Sequence, residues 1–269
     1  VTSVATLAPL FDAHLHILDP RFPLMANEGF LPEPFRVADY RATVAGLGLG
    51  VTGGAVVSGS FQGYDQTYLT DALALLGPTF VGVAQLPATT AAADIERLDA
   101  LGVRALRFNL HRGVHPSPDA MVRLAHLAYE TAGWHAELYL DVRDLPDLSA
   151  LTDALPALCV DHLGLSAEGR PHLLRLVERG AHVKATGFGR LALPIAETLR
   201  AVALANPDAL LFGTDLPGTR APRPFRPEDL LLLAEALGDE ALVRKAVREN
   251  ALALYRPRAI EPRNGSWPS

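Results

Sequence analysis

Two rhythms of apolar and polar positions alternate along this chain. A short apolar or β-branched run comes first, then a loop, then a stretch with helical periodicity. The strand-like runs are Leu7–Ala13, Thr52–Val57, Phe80–Gln85, Ala105–Leu110, Ala136–Asp141, Leu158–His162, His182–Thr186 and Leu210–Gly213. The helical stretches between them are Ala38–Leu47, Gln66–Leu75, Ala91–Ala100, Asp119–Ala132, Leu145–Ala154, Gly169–Glu178 and Pro194–Ala205. Two more, Pro227–Leu237 and Glu240–Leu254, follow the last strand. Gly133 and Gly180 mark helix ends, where a left-handed residue stops the helix.

Strands alternating with helices predict a parallel sheet covered by helices. Eight such units in 269 residues favour an α/β fold of the closed (β/α)8 TIM-barrel type, a single domain, over a doubly wound sheet. The doubly wound fold expects a Gly-rich turn after its first strand, and Asp12-Ala13-His14-Leu15-His16 stands there instead. The barrel is expected over residues 8–255, with a loose tail over 256–269, rich in Pro, Gly and Ser. The proline-bearing loop Ile17–Val37 is expected as a flap over one barrel mouth or as a plain connection.

Composition narrows the partners. A net charge of −6 argues against a nucleic-acid groove, which needs a basic face. No run reaches the ~18 apolar residues of a membrane span. The first residues show no basic segment ahead of an apolar core, so no secretory signal is expected. The single cysteine, Cys159, rules out an intrachain disulfide and fits a reducing cytoplasm. A homo-oligomer is compatible with all of this.

The candidate chemistry sits at the strand ends, where barrels of this type carry their sites. If strand alternation holds, Asp12, His14 and His16 share one face of the first strand. Two such imidazoles can hold a metal or polarise a carbonyl. Strand two runs into Ser58 and Ser60-Phe61-Gln62-Gly63-Tyr64-Asp65. Strand four carries Arg107, Asn109 and His111, then Arg112; strand five carries Glu137, Tyr139 and Asp141. Strand six ends in Asp161-His162, strand seven carries Lys184 and Thr186, and strand eight ends in Gly213-Thr214-Asp215. Burying charge without partners is costly. Lys184 and Glu137 are therefore also candidates for a buried ion pair, and Arg107 for a loop brace.

In this order, Phe11-Asp12-Ala13-His14-Leu15-His16, Ser60-Phe61-Gln62-Gly63-Tyr64-Asp65, Arg107-Phe108-Asn109, Asp161-His162-Leu163-Gly164, Val183-Lys184-Ala185-Thr186-Gly187 and Gly213-Thr214-Asp215-Leu216-Pro217 resemble the amidohydrolase superfamily. The resemblance is to its branch of lactonases and related sugar-acid or aromatic-acid hydrolases, which includes the 2-pyrone-4,6-dicarboxylate lactonases. It implies that Asp215 acts as general base on water, while His14, His16 and His162 polarise the substrate carbonyl. It also implies that mouth arginines, here Arg107, Arg112 and Arg190, hold a substrate carboxylate. Tyr139 and Tyr64 are further candidates for substrate contact.

The same resemblance implies either one divalent metal, zinc foremost, on His14, His16 and Asp215, or none. Metal-binding relatives often place a His on strand five or a carbamylated Lys on strand four; this chain offers Glu137, Tyr139 and Asp141 on strand five and no Lys on strand four. It departs from the dicarboxylate lactonases twice. No arginine follows His162-Leu163-Gly164-Leu165, and Asp215-Leu216-Pro217-Gly218 replaces Asp-Trp-Pro-His. The expected activity is hydrolysis of a lactone or related cyclic ester of a small, carboxylate-bearing organic or sugar acid. The alternatives are a decarboxylase or isomerase of the superfamily, and a catalytically silent barrel that binds a metabolite.

Overall fold

The computed structural model describes residues 3–112 and 115–258. Eight strands form one parallel sheet in chain order. They are β1 (Leu10–Leu15), β2 (Val51–Val57), β3 (Phe80–Ala84), β4 (Val103–Asn109), β5 (His135–Tyr139), β6 (Leu158–Val160), β7 (His182–Ala185) and β8 (Leu210–Phe212). The connecting helices are α1 (Val37–Gly46), α2 (Thr67–Leu76), α3 (Ala92–Ala100), α4 (Pro118–Ala132), α5 (Leu145–Ala154), α6 (Arg170–Glu178) and α7 (Ile195–Ala205). After β8 come α8 (Pro227–Leu237), α9 (Glu240–Arg244), a π-turn over Lys245–Glu249, and α10 (Asn250–Tyr255). The architecture is the expected (β/α)8 barrel. The expected tail lies, from residue 259 on, outside the described residues.

Strand alternation builds two cores. Val56, Phe80, Leu106, Leu138, Val160 and Val183 pack outward against the helices. Ala55, Val57, Val81, Val83, Cys159 and Leu211 point to the barrel axis. With both faces covered, the strands read as apolar runs rather than clean alternation. The exceptions are axis-facing positions near strand ends, and those are the polar residues of interest.

β1 departs from simple alternation. Asp12 pairs with Gly54 and Leu15 with Val56, so Ala13 and His14 together face one residue of β2. That is a β-bulge, which inserts a residue and re-aims its neighbours. The expectation that Asp12, His14 and His16 share a face is thereby corrected. His14 and His16 turn to the axis, while Asp12 turns outward to accept from the Tyr40 hydroxyl at 2.9 Å.

Asp12 also closes the barrel. It accepts from the Thr214 backbone N–H at 2.8 Å and hydroxyl at 2.7 Å. The seam between β1 and β8 is completed by Asp215 N–H to His14 O at 2.7 Å and His16 N–H to Leu216 O at 2.8 Å. Gly213 makes this approach possible, because a Cβ there would lie 2.5 Å from the His14 nitrogen.

The 17–37 loop touches the mouth cavity through Leu18 and is tied back on itself and to the loop after β2. It is pinned by the Leu18–Phe35 bridge and by Met25 N–H to Phe61 O at 2.8 Å. Leu18 lines the mouth cavity.

Candidate active site at the barrel mouth

His14, His16, His162 and Asp215 meet at the C-terminal end of the barrel, all buried. β1 delivers the first two through its bulge. His162 follows β6 and Asp215 follows β8, both in the left-handed backbone region, with φ of 51° and 58°. Such conformations cost on the order of 1 kcal/mol or more in a non-glycine residue and concentrate at functional sites. They also explain why β6 and β8 stop before these residues, earlier than the apolar pattern suggested.

The ring nitrogens and one carboxylate oxygen point at a common place. His14 Nε2 and His16 Nε2 are 3.3 Å apart. Asp215 Oδ1 lies 3.7 Å from the first and 3.5 Å from the second. His16 Nδ1 sits 2.7 Å from Val57 O, so it carries a hydrogen donated to that carbonyl, and Nε2 faces His14. His162 is held through Nδ1 to the Thr186 hydroxyl at 2.8 Å, and its ring centroid is 4.8 Å from that of His14. Gly187 keeps this corner open: a Cβ there would meet His162 Nδ1 at 2.7 Å.

Asp215 is charged but half-satisfied. Burial alone would raise its carboxyl, yet Arg190 first, then His162, His16 and His14, hold it well below the usual range. Arg190 donates to Oδ2 through Nε, at 3.1 Å, and through Nη2. Oδ1 is buried and has no hydrogen-bond partner among the described residues. Burial, and then Lys184, push His14 well below the ordinary imidazole value. Burial lowers His162 to about 4, so both rings are neutral at neutral pH.

A second tier supports the first. Arg107 donates to Asp161 Oδ2 through Nε at 3.0 Å and Nη2 at 2.9 Å, and to Ser58 O through Nη1 at 2.9 Å. Asp161 Oδ1 lies 3.4 Å from His14 Nδ1 and 3.6 Å from Lys184 Nζ. Lys184, fully buried, pairs with Glu137, which also accepts from the Tyr255 hydroxyl. The ion pair foreseen for Lys184 and Glu137 is therefore present.

The expected substrate-binding residues divide. Arg107, Arg112, Arg190 and Tyr139 line the mouth cavity together with His16 and Asp215. Arg107 is nevertheless engaged as a brace to Asp161 and Ser58, and Arg190 rests on Asp215. Tyr64 is a correction: it is exposed and faces a separate groove with Thr67, Leu86 and Pro87. Gly63 before it takes a positive φ of 54°, with its Cα packed against Met25 of the 17–37 loop.

Sequence reasoning gave no role to Asp161, Tyr255 or Arg220. Asp161 was visible as the axis-facing position two beyond Cys159. Arg220 lies in a loop without periodicity, and Tyr255 comes from a helix that reaches the barrel floor only in three dimensions.

The donor set fits one metal ion. His14, His162 and Asp215 offer ligand atoms that all lie within 4.8 Å of one another and can coordinate an ion. The expected set of His14, His16 and Asp215 thus shares two members with this cluster, in which His162 stands where His16 was expected. Tetrahedral zinc, at about 2.0–2.1 Å from its nitrogen and oxygen ligands, needs corners about 3.3–3.4 Å apart.

The amidohydrolase family model matches residues 11–256. The chain belongs to the amidohydrolase family. It is thus an enzyme of the amidohydrolase superfamily, with the general hydrolase chemistry of that group. It is 27% identical over 280 residues to a 2-pyrone-4,6-dicarboxylate hydrolase of Comamonas testosteroni, covering 93% of this chain and 90% of that one. It is 26% identical over 276 residues to a D-galactarolactone isomerase of Agrobacterium fabrum, covering 91% and 90%. The solved apo structure of an Agrobacterium tumefaciens protein superposes with a TM-score of 0.80 at 24% identity, covering 92% of this chain and 95% of that one, a likeness of fold. No helix among the described residues is long and apolar enough to cross a membrane.

Proposed function

We propose that this mouth opens the ring of a lactone or related cyclic ester of a small organic or sugar acid that bears a carboxylate. The observation that carries the reading is Asp215 Oδ1: an ionised, buried carboxylate oxygen with no hydrogen-bond partner among the described residues, flanked by imidazoles. Ester hydrolysis needs a base for water, donors for the growing oxyanion, and an anchor for the substrate. Asp215 takes the water proton through Oδ1 and passes it to the leaving alkoxide. His162 and His14 face the carbonyl. Arg190 and Arg112 offer planar forks to a carboxylate.

Arg190 gives this scheme a control. While it sits on Oδ2 it makes Asp215 a weak base. A substrate carboxylate that draws the guanidinium away restores the basicity only when substrate is in place.

A divalent ion, zinc foremost, would be held by His14, Asp215 and either His16 or His162. There it would polarise the carbonyl and acidify water. Metal analysis of the purified protein decides its identity.

The similarity to a lactone isomerase supports a second reading, in which Asp215 moves a proton within the substrate and no water is added. Kinetics of Asp215→Asn on a lactone panel in ¹⁸O-labelled water test both. We expect wild-type product to be the open acid carrying label, and turnover of the variant to fall about 10²–10⁴-fold. An unlabelled isomeric lactone would establish the second reading. Wild-type turnover by the variant would remove Asp215 from the chemistry.

A further inference from the structure

Two opposed groups reach the same ring nitrogen of His14. Lys184 Nζ donates to Nδ1 at 3.3 Å. Asp161 Oδ1 lies 3.4 Å from that nitrogen and 3.6 Å from Nζ. All three residues are fully buried. One nitrogen cannot serve both partners. Accepting from an ammonium takes a lone pair, and donating to a carboxylate takes a hydrogen.

The structure shows the first arrangement. The lysine bond is formed, while Asp161 Oδ1 has no hydrogen-bond partner among the described residues. The other oxygen, Oδ2, takes both carboxylate bonds from Arg107. A buried carboxylate oxygen left open in this way calls for an explanation. Nor is Lys184 occupied by Glu137 alone, because an ammonium has three hydrogens and Glu137 takes one.

The choice at Nδ1 is felt at the other end of the ring. With one ring hydrogen, a lone pair at Nδ1 puts that hydrogen on Nε2. Nε2 stands 3.3 Å from His16 Nε2 and 3.7 Å from Asp215 Oδ1, and it belongs to the set that can coordinate an ion. A nitrogen that carries a hydrogen has no lone pair for a cation. Moving the hydrogen to Nδ1, where Asp161 Oδ1 can accept it, frees Nε2 to become a ligand.

We propose that Lys184 and Asp161 are positioning residues that set the tautomer of His14, and with it the affinity of the mouth for a divalent cation. Lys184 keeps the hydrogen on Nε2 and the cation out. Asp161 draws the hydrogen to Nδ1 and lets the cation in. Charge acts in the same direction, since an ammonium behind the ring repels a cation in front of it and a carboxylate attracts one. The proposal rests on the reading of His14 as a cation ligand, and adds what controls it.

Two measurements on the full chain test it. Calorimetric titration with zinc gives the affinity. Long-range ¹H–¹⁵N spectra of the imidazoles report which nitrogen of His14 carries the hydrogen. His14→Asn identifies the His14 signals and any zinc bound elsewhere. In the wild type without zinc we expect the hydrogen on Nε2. Lys184→Met should move it to Nδ1 and tighten zinc binding about 10-fold or more, an effect of the size outer groups have on metal ligands. Asp161→Asn should weaken zinc binding about 10- to 100-fold. Where the wild type takes up too little zinc to weigh, Asp161→Asn is compared on the Lys184→Met background.

Variants that only loosened the fold would both weaken binding, so opposite signs distinguish positioning from support. A wild-type hydrogen on Nδ1 overturns the proposal. So does a zinc affinity that moves in the same direction in both variants, or in neither. If Lys184→Met is unfolded by circular dichroism, Lys184→Met combined with Glu137→Gln replaces it, with the same expected signs. Failure of the cation reading shows elsewhere. Zinc binding that His14→Asn leaves unchanged would remove His14 from the cation site and overturn the link to affinity, with the tautomer assignment standing.

Discussion

The floor and the mouth of this barrel are both lined with buried charge, and they treat it differently. At the floor, Glu137 accepts from Lys184, from the Tyr255 hydroxyl and from His135, the last at 3.2 Å. At the mouth, Asp215 Oδ1 and the Nε2 atoms of His14 and His16 converge, and that oxygen has no hydrogen-bond partner among the described residues. A buried ion pair with its remaining sites filled belongs to the architecture. A buried carboxylate oxygen without a partner, set beside two ring nitrogens, describes a place for something else, whether a water, a substrate or a cation. Asp161 stands between the two, its Oδ2 held by Arg107 and its Oδ1 near both Lys184 and His14. The contrast separates residues that hold the fold from those proposed to act, although both sets consist of polar groups at strand ends.

The strongest test of the contrast is at the floor. Lys184→Met leaves the Glu137 carboxylate buried without its cation and should cost about 3–5 kcal/mol of stability in denaturant unfolding. Lys184→Met combined with Glu137→Gln should recover much of that. Failure to recover would show that the pair does more than balance charge.

At the mouth the signs reverse. His14→Asn should lower turnover about 10²–10³-fold, the usual effect of losing one group that stabilises the oxyanion, while moving the thermal midpoint little. A large loss of stability instead would move His14 to the structural side.

Acid stability offers a third measurement, of about 3 kcal/mol. The fold keeps His162 unprotonated down to about pH 4, whereas the unfolded chain takes up that proton near the ordinary 6.5. Stability should therefore fall as pH drops from 6.5 toward 4, and His162→Asn should flatten the slope. Asp12 acts in the opposite sense. Burial raises it to about 6, so the fold gains its proton first and is favoured as pH falls from 6 to 3.8. The smallest effect is expected at Tyr64, outside both regions. Tyr64→Ala should change stability by less than about 0.5 kcal/mol and leave KM unchanged. A clear rise in KM would return it to the site.

Much of this was legible beforehand, for a physical reason. A parallel barrel buries both faces of each strand, so its strands are apolar runs and any polar residue at an axis-facing strand end stands out. His14, His162 and Asp215 stand out as candidates for that reason, and Lys184 and Glu137 as a candidate ion pair. Tyr64 was misplaced because a loop has no periodicity, and the left-handed turn at Gly63 cannot be read from neighbouring residues. Arg107 was foreseen both as an anchor and as a brace. Its partners Asp161 and Ser58 are distant in sequence, and they make the brace visible.

The sequence by itself determined the order of elements, the barrel they close into, and the residue types that reach its mouth, because hydrophobic period and strand-end position are local properties. Only the tertiary structure decided what each polar residue does. The β1 bulge sent Asp12 outward to the seam and His14 inward to the site. α10 brought Tyr255 to Glu137, and the 17–37 loop brought Glu28 to Arg220. A charge at a strand end acts or supports according to whether its partners are already present, and those partners come from elsewhere in the chain.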